Sequence, residues 1–254
     1  MSKSKFMTAA EEMKDKLGPA LCLAKWQQVS LHLPTGLNNS CYHPPLHEMD
    51  AQVVEIHPSA IHNTRYFKYM DILMESRGFF NRVFLTDVRD VAFQGDIFAE
   101  IDQPGLHCFM EDPDWTCDER FNKYILTSNY GEEVAAEFAD KRIICSGTTL
   151  GDADDVLNYI VALMNERDLE KMMKVGGIPD EQAPHNFIFH RDKLPHTKQE
   201  NGDGVATICL THPNQIKILD DGRVSIYGKT PAIVHQWDRH PNLVDHYNKI
   251  YSGA

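Results

Sequence analysis

The sequence predicts an α/β fold, a mixed sheet flanked by helices, and three observations carry that prediction. Short apolar runs of strand length recur, at residues 83–85, 142–145 and 205–210. Between them stand segments whose apolar residues fall at helical spacing, at 66, 69, 70, 73 and 74 and again at 156, 157, 160, 161, 163 and 164. Acids, amides and a histidine gather where apolar runs end, and in open sheets ligands bind in the crevice beyond strand ends.

At 254 residues with 42% apolar composition, the chain can bury a sizeable core. Its formal net charge of −12 argues against nucleic-acid binding through a basic surface. Phosphate chemistry would need a local arginine cluster or a metal ion. The cysteines at 22, 41, 108, 117, 145 and 209 form no CxxC pair, so a zinc ribbon or thioredoxin motif has no support. They read as reduced thiols of a cytoplasmic protein. Residues 1–20 hold no apolar leader and no run approaches membrane-spanning length, so no membrane span is expected.

In chain order, 8–17 suits a short helix stopped by Gly18-Pro19, and 29–33 alternates like a strand. Cys41, His43 and His47 are metal-capable within one Pro-constrained loop, where surface histidines are the plainer alternative. A helix over 65–76 ends at Arg77-Gly78. The run at 83–85 then leads to Asp87 and Asp90 on either side of Arg89, followed by apolar 91–93 and a turn at Gly95-Asp96. Residues 99–120 read as an irregular, lid-like segment, or a strand followed by a loop. A short helix is expected over 132–139 and a strand over 142–145. A flexible turn follows at 146–151, then a long helix over 153–174 capped by Asp152. Such a strand–turn–helix unit can approach a sugar or phosphate through backbone N–H groups, though a generic βα turn reads the same way. Residues 176–186 are polar and precede a short apolar run, 187–189; 191–204 read as a loop. A hairpin is expected around Asp220-Asp221-Gly222. A strand at 232–234 delivers His235, Asp238 and Arg239, and a terminal helix covers 242–251.

Four polar groups thus recur: Asp87/Arg89/Asp90, Ser146/Gly147, Glu181/Gln182/Asn186 and His235/Asp238/Arg239. Carboxylates with one imidazole suit a hard divalent cation, Mn²⁺ or Mg²⁺, that also takes phosphate oxygens. Arg89 or Arg239 can add a charge-assisted contact to a diphosphate.

These groups lie in longer motifs: Leu85-Thr-Asp-Val-Arg-Asp-Val-x-Phe-Gln94, Cys145-Ser-Gly-Thr-Thr-x-Gly151, Gln182-x-x-His-Asn186 and Val234-His-Gln-x-Asp-Arg-His-Pro241. In this order they resemble the serial motifs of GT-A-type glycosyltransferases, over about residues 65–254. The resemblance implies a GT-A-like mixed sheet and metal-dependent transfer from a nucleotide-sugar donor to a glycan or other hydroxyl acceptor. It implies that Asp87, Asp90 and His235 hold the metal and that Ser146 and Gly147 line the sugar. Arg89, Asn186 and Arg239 would bind donor. Glu181 and Gln182 stand where the family pattern has Asp-Gln and would act at the donor sugar or acceptor. Asp96, Asp180, Glu181 and Asp238 are all conceivable bases for an acceptor hydroxyl, and spacing selects none.

Upstream, no run of parallel-strand and helix pairs is evident, so the nucleotide-binding N-terminal half is expected to be atypical or truncated, with residues 1–64 a separate segment from a domain over 65–254. Cys22, Trp26, His32-Leu33, Gly36, Ser40-Cys41, His43-Pro44, His47 and Pro58 to Thr64 resemble the opening of twitch-type radical SAM proteins of phages and bacteria. The CxxxCxxC of radical chemistry is absent. That resemblance implies at most an auxiliary metal or cluster contact by Cys22 and Cys41. Two alternatives therefore accompany the transferase reading: a non-catalytic GT-A-like binding protein, and a metal or iron–sulfur protein using the N-terminal Cys/His segment.

Overall fold

A computed structural model describes residues 20–25, 61–87, 89–166 and 181–251. The expected elements at 8–17 and 29–33, and the Cys41/His43/His47 group, lie outside the described residues. The class is as predicted: mixed α/β, with mixed sheets flanked by helices.

The larger sheet has the strand order β1-β2-β5-β4-β6: β1 (Ala20–Lys25), β2 (Arg82–Asp87), β5 (Ile144–Asp152), β4 (His107–Met110) and β6 (Thr197–Gln199). β1 runs parallel to β2, β5 antiparallel to both β2 and β4, and β6 parallel to β4. A smaller sheet holds β3 (Val91–Phe93), β10 (Ile233–His235) and β7 (Val205–Thr207). The expected hairpin is present as β8 (Ile216–Ile218) and β9 (Val224–Ile226).

β2 explains why its sequence is continuously apolar. Val83 and Leu85 pack with Tyr66, Tyr69 and Leu73 of α1 (Ile61–Glu75) and with Val156, Tyr159, Ile160 and Leu163 of α5 (Ala153–Asn165). Phe84, pointing the other way in the pleat, joins Val91, Val205 and Ile233 of the smaller sheet. With both faces covered, an alternating polar pattern has no place. The terminal helix α7 (Pro241–Tyr251) closes the far side of the smaller sheet through Leu243 and Tyr247 against Trp237 and Val234.

Several expectations need correction. Residues 146–151 are no turn: β5 runs unbroken to Asp152 and is buried there, so the strand–turn–helix approach to a phosphate is absent. Asp152 stands at the start of α5, but its side chain accepts from Gly105 N–H at 2.9 Å rather than capping that helix. The supposed polar segment and apolar run around 182–189 form a helix, α6 (Gln182–His190). Pro184 does not interrupt it, because a first-turn residue has no intrahelical bond for its missing N–H to break. The irregular 99–120 segment contains the end of a short helix, α2 (Ile97–Glu100), then β4 and the first residue of a further helix. That helix, α3 (Arg120–Tyr130), went unread; Glu119 caps it, accepting from the N–H groups of Phe121 and Asn122. A short α4 (Glu132–Glu137) follows, as expected. The loop at 191–204 carries β6. Ahead of the acidic strand there is after all a parallel partner, β1, with α1 between the two in sequence.

Candidate functional site

The site forms where both sheets end together. β2 ends on Asp87, and the chain turns through Asp90 into β3. β10 lies antiparallel to β3 with His235 opposite Val91, which brings a histidine from far along the chain beside Asp90. Gln236 donates its N–H to the Asp90 carbonyl at 2.7 Å and adopts a left-handed backbone, φ 60°. That geometry ends the strand and turns the chain away directly after the histidine.

His235 Nε2 lies 3.3 Å from Asp87 Oδ2 and 3.9 Å from Asp90 Oδ1. One ligand atom from each of Asp87, Asp90 and His235 falls within 4.8 Å of the others. The other ring nitrogen, Nδ1, is held by Cys145 Sγ at 3.4 Å and Thr207 Oγ1 at 3.3 Å. Holding Nδ1 fixes the ring so that Nε2 faces the carboxylates. Burial works against charge on His235, but Cys145, Asp87 and Asp90 outweigh it and raise the imidazolium pKa well above its ordinary value. Burial pushes the Asp90 carboxyl up, against the pull of His235. Two carboxylates and one fixed imidazole are a donor set that fits a divalent cation, Mn²⁺ more readily than Mg²⁺ because of the nitrogen.

Gly147 makes room for this arrangement. It stands in β5 one step beyond the last paired residues, Thr86 and Thr148. A Cβ there would sit 2.8 Å from His235 Nε2 and 2.9 Å from Asp87 Oδ2. Its neighbour Ser146 donates its backbone N–H to Gln182 Oε1 at 2.8 Å.

Two further charges matter. Arg65 of α1, only 3% exposed, pairs with Glu181 and lies 3.7 Å from Asp87 Oδ1. Glu111, just past β4, is buried, and its carboxylate accepts from Gln182 Nε2 at 3.5 Å and Cys209 Sγ at 3.8 Å. Burial pushes its pKa up to about 7. Sequence reasoning missed both. Arg65 sits amid ordinary helical spacing, and Glu111 in a segment that reads as irregular and lid-like.

The structure therefore gathers Asp87, Asp90, His235 and Gly147, with Ser146, Gln182 and Glu181 adjoining. Arg89 and Arg239, each about half exposed, share Asp238 Oδ2 at 3.2 and 2.7 Å. Asn186 is not brought to this group: its amide is spent on Ile144 N and O, at 2.9 and 3.0 Å, and on Gln182 O. Among the other conceivable bases, Asp96 caps α2 and Asp180 lies outside the described residues. The cysteines at 108, 117, 145 and 209 are free thiols. Among the described residues no helix is long and apolar enough to cross a membrane.

No protein-family model and no curated protein matches the chain. Nothing in these comparisons supports the likeness of residues 20–64 to radical SAM proteins. Among solved structures, the crystal structure of a glycosyltransferase involved in the glycosylation of the major capsid of PBCV-1 is similar over 92% of this chain and 100% of that one, at 12% identity and a TM-score of 0.49. A likeness that loose carries no argument about function.

Proposed function

We propose that the protein is a metal-dependent glycosyltransferase, moving a sugar from a nucleotide-diphosphate donor to a hydroxyl acceptor. The observation that carries the reading is the Asp87/Asp90/His235 cluster, with Gly147 leaving space for it and Nδ1 of the histidine already held. Asp87, Asp90 and His235 would hold Mn²⁺ or Mg²⁺, and when bound the ion supplies Lewis-acid neutralisation of the departing diphosphate.

The chain's own groups do the rest. Arg89 and Arg239 hold two cationic, half-exposed guanidinium groups around Asp238, suited to phosphate oxygens. Glu181, oriented by Arg65, and Gln182, oriented by Ser146 N–H, adjoin the donor sugar.

The test is a thermal-shift panel of UDP-, GDP- and CDP-sugars with Mn²⁺ against an EDTA control, followed by donor turnover. A ligand present at 100 times its Kd adds about 2.7 kcal/mol, which is several degrees for a chain of this size. The expected result is a metal-dependent shift with one donor class, abolished in Asp87→Asn. A folded protein with no shift and no turnover across the panel, and an Asp87→Asn variant indistinguishable from it, would be the non-catalytic binding protein instead.

A further inference from the structure

Trp115 has an unusual combination of properties. The residue is 41% exposed, yet its ring is anchored: Nε1–H donates to the Leu210 carbonyl at 3.1 Å, and its backbone N–H donates to the Asp112 carbonyl at 3.2 Å. A large aromatic surface left in water is unfavourable, and pinning it adds lost side-chain freedom. A ring both exposed and fixed is what a ligand that stacks on it requires.

The surroundings are built to the same end. Asp112 is buried, its Oδ1 accepts from Asp114 N–H at 2.9 Å and its Oδ2 from the Tyr227 hydroxyl. Tyr227 reaches it from a left-handed backbone, φ 53°, a conformation that costs energy in a bulky residue. A chain of contacts leads from here to the triad. Glu111, next to Asp112, touches Cys209 and Gln182; Gln182 holds Ser146 N–H; and the following residue, Gly147, faces His235.

We propose that Trp115 is the platform of a second substrate subsite, which takes a sugar ring. It rests on the transferase reading only in calling that ring the acceptor. A pyranose presents apolar C–H groups on its faces and hydroxyls around its edge, and a fixed indole beside polar groups matches both. Asp112 and Asp114 place carboxylates beside Trp115, so the ring it accepts is neutral rather than a uronate.

The experiment uses the full chain with no metal or donor present. Methyl α- and β-glycosides of neutral hexoses, and the methyl glycoside of glucuronic acid, are titrated at millimolar concentration. Binding is read by saturation-transfer NMR and by indole fluorescence. The expected result is saturable binding of at least one neutral glycoside and at least tenfold weaker binding of the uronate. Trp115→Ala weakens the neutral ligand at least tenfold, and Trp115→Phe retains NMR-detected binding at intermediate strength. Circular dichroism and Tm establish that both variants are folded, and Trp115→Phe, which keeps a ring, covers the case in which the alanine variant is not. No glycoside binding, or binding indifferent to both substitutions, overturns the proposal. The Mn²⁺-dependent nucleotide-sugar shift of the unsubstituted protein is a separate measurement. Its absence counts against the transferase reading and leaves a saccharide-binding Trp115 standing.

Discussion

Gly147 and His235 occupy space that only a glycine and an imidazole can share. The histidine ring lies over the α-carbon of Gly147, where a Cβ would approach Nε2 to 2.8 Å and Asp87 Oδ2 to 2.9 Å. Neither neighbour can retreat easily. The ring is fully buried and bonded at Nδ1, and Asp87 is bounded by Arg65.

Gly147→Ala therefore tests the geometry of the triad directly. Overpacking of this kind costs about 1–3 kcal/mol, and here the strain falls on the metal-facing atoms. The expected outcome is a modest loss of stability in urea denaturation with a Mn²⁺ affinity at least tenfold weaker, read by electron paramagnetic resonance of free Mn²⁺. Unchanged affinity in a folded variant would mean that the triad does not hold the ion.

Arg65 is the internal counterion of Asp87 and Glu181. Its guanidinium is almost wholly buried, so the three charges are worth far more together than apart. Removing one partner of a buried pair costs about 3–5 kcal/mol, because the others are left uncompensated. Arg65→Met is expected to lose stability on that scale in metal-free buffer. Saturating Mn²⁺ should restore part of the loss and bind more tightly than in the parent, since a divalent ion replaces the missing charge at Asp87. Urea denaturation with and without Mn²⁺ checks this; equal losses in both conditions would show that Arg65 does not compensate Asp87.

What could be read from the sequence divides along physical lines. Asp87, Asp90 and His235 were legible because carboxylates and a histidine at the ends of apolar runs stand out against their neighbours. β5 was not legible beyond residue 145. Ser146, Gly147, Thr148, Thr149 and Gly151 have the composition of a turn, yet they lie in one unbroken strand, with Thr148, Thr149 and Gly151 paired to β2 and Thr149 also to β4. The glycines there answer to close neighbours: Gly147 to His235, and Gly151 to the Gly105 carbonyl, which an added Cβ would approach to 3.1 Å. Tertiary context overrode local propensity. Arg65 and Glu111 were hidden for a related reason. Their roles come from burial by other elements, and a charged residue carries no local sign that it will be buried.

Asn186 separates a ligand contact from a structural one. The motif places it among donor-binding residues, whereas the structure spends its amide on both backbone groups of Ile144 and on the Gln182 carbonyl. Asn186→Ala would leave a buried N–H and C=O of β5 without partners, at about 1–3 kcal/mol for each unsatisfied group. A loss of roughly 2–4 kcal/mol in urea denaturation is expected, while the donor KM of the folded variant stays within about threefold. A large rise in KM with little loss of stability would return Asn186 to the donor.

Glu111 makes a prediction about pH. Burial raises its pKa from 4.5 to about 7, against the opposing pull of His235 and the contacts from Cys209 and Gln182, while Glu119 adds to the rise. Cys117 also faces it, its own thiol pushed up to about 12 by burial and by Glu111. The folded state thus holds a proton that the unfolded chain gives up near its ordinary carboxyl pKa. Between those two values the folded state binds more protons, so stability falls as pH rises. The contribution is fully present below about pH 4.5 and is lost as pH climbs through about 7. A shift of this size amounts to roughly 3 kcal/mol, an upper value for a carboxyl that can relax toward water. Glu111→Gln keeps the shape of the protonated side chain but cannot ionise. The variant is expected to match the parent near pH 4.5 and to become progressively more stable than it toward pH 8. Urea denaturation of both proteins across that range measures the difference. A gap that does not change with pH would show that Glu111 ionises with an ordinary pKa and reaches solvent.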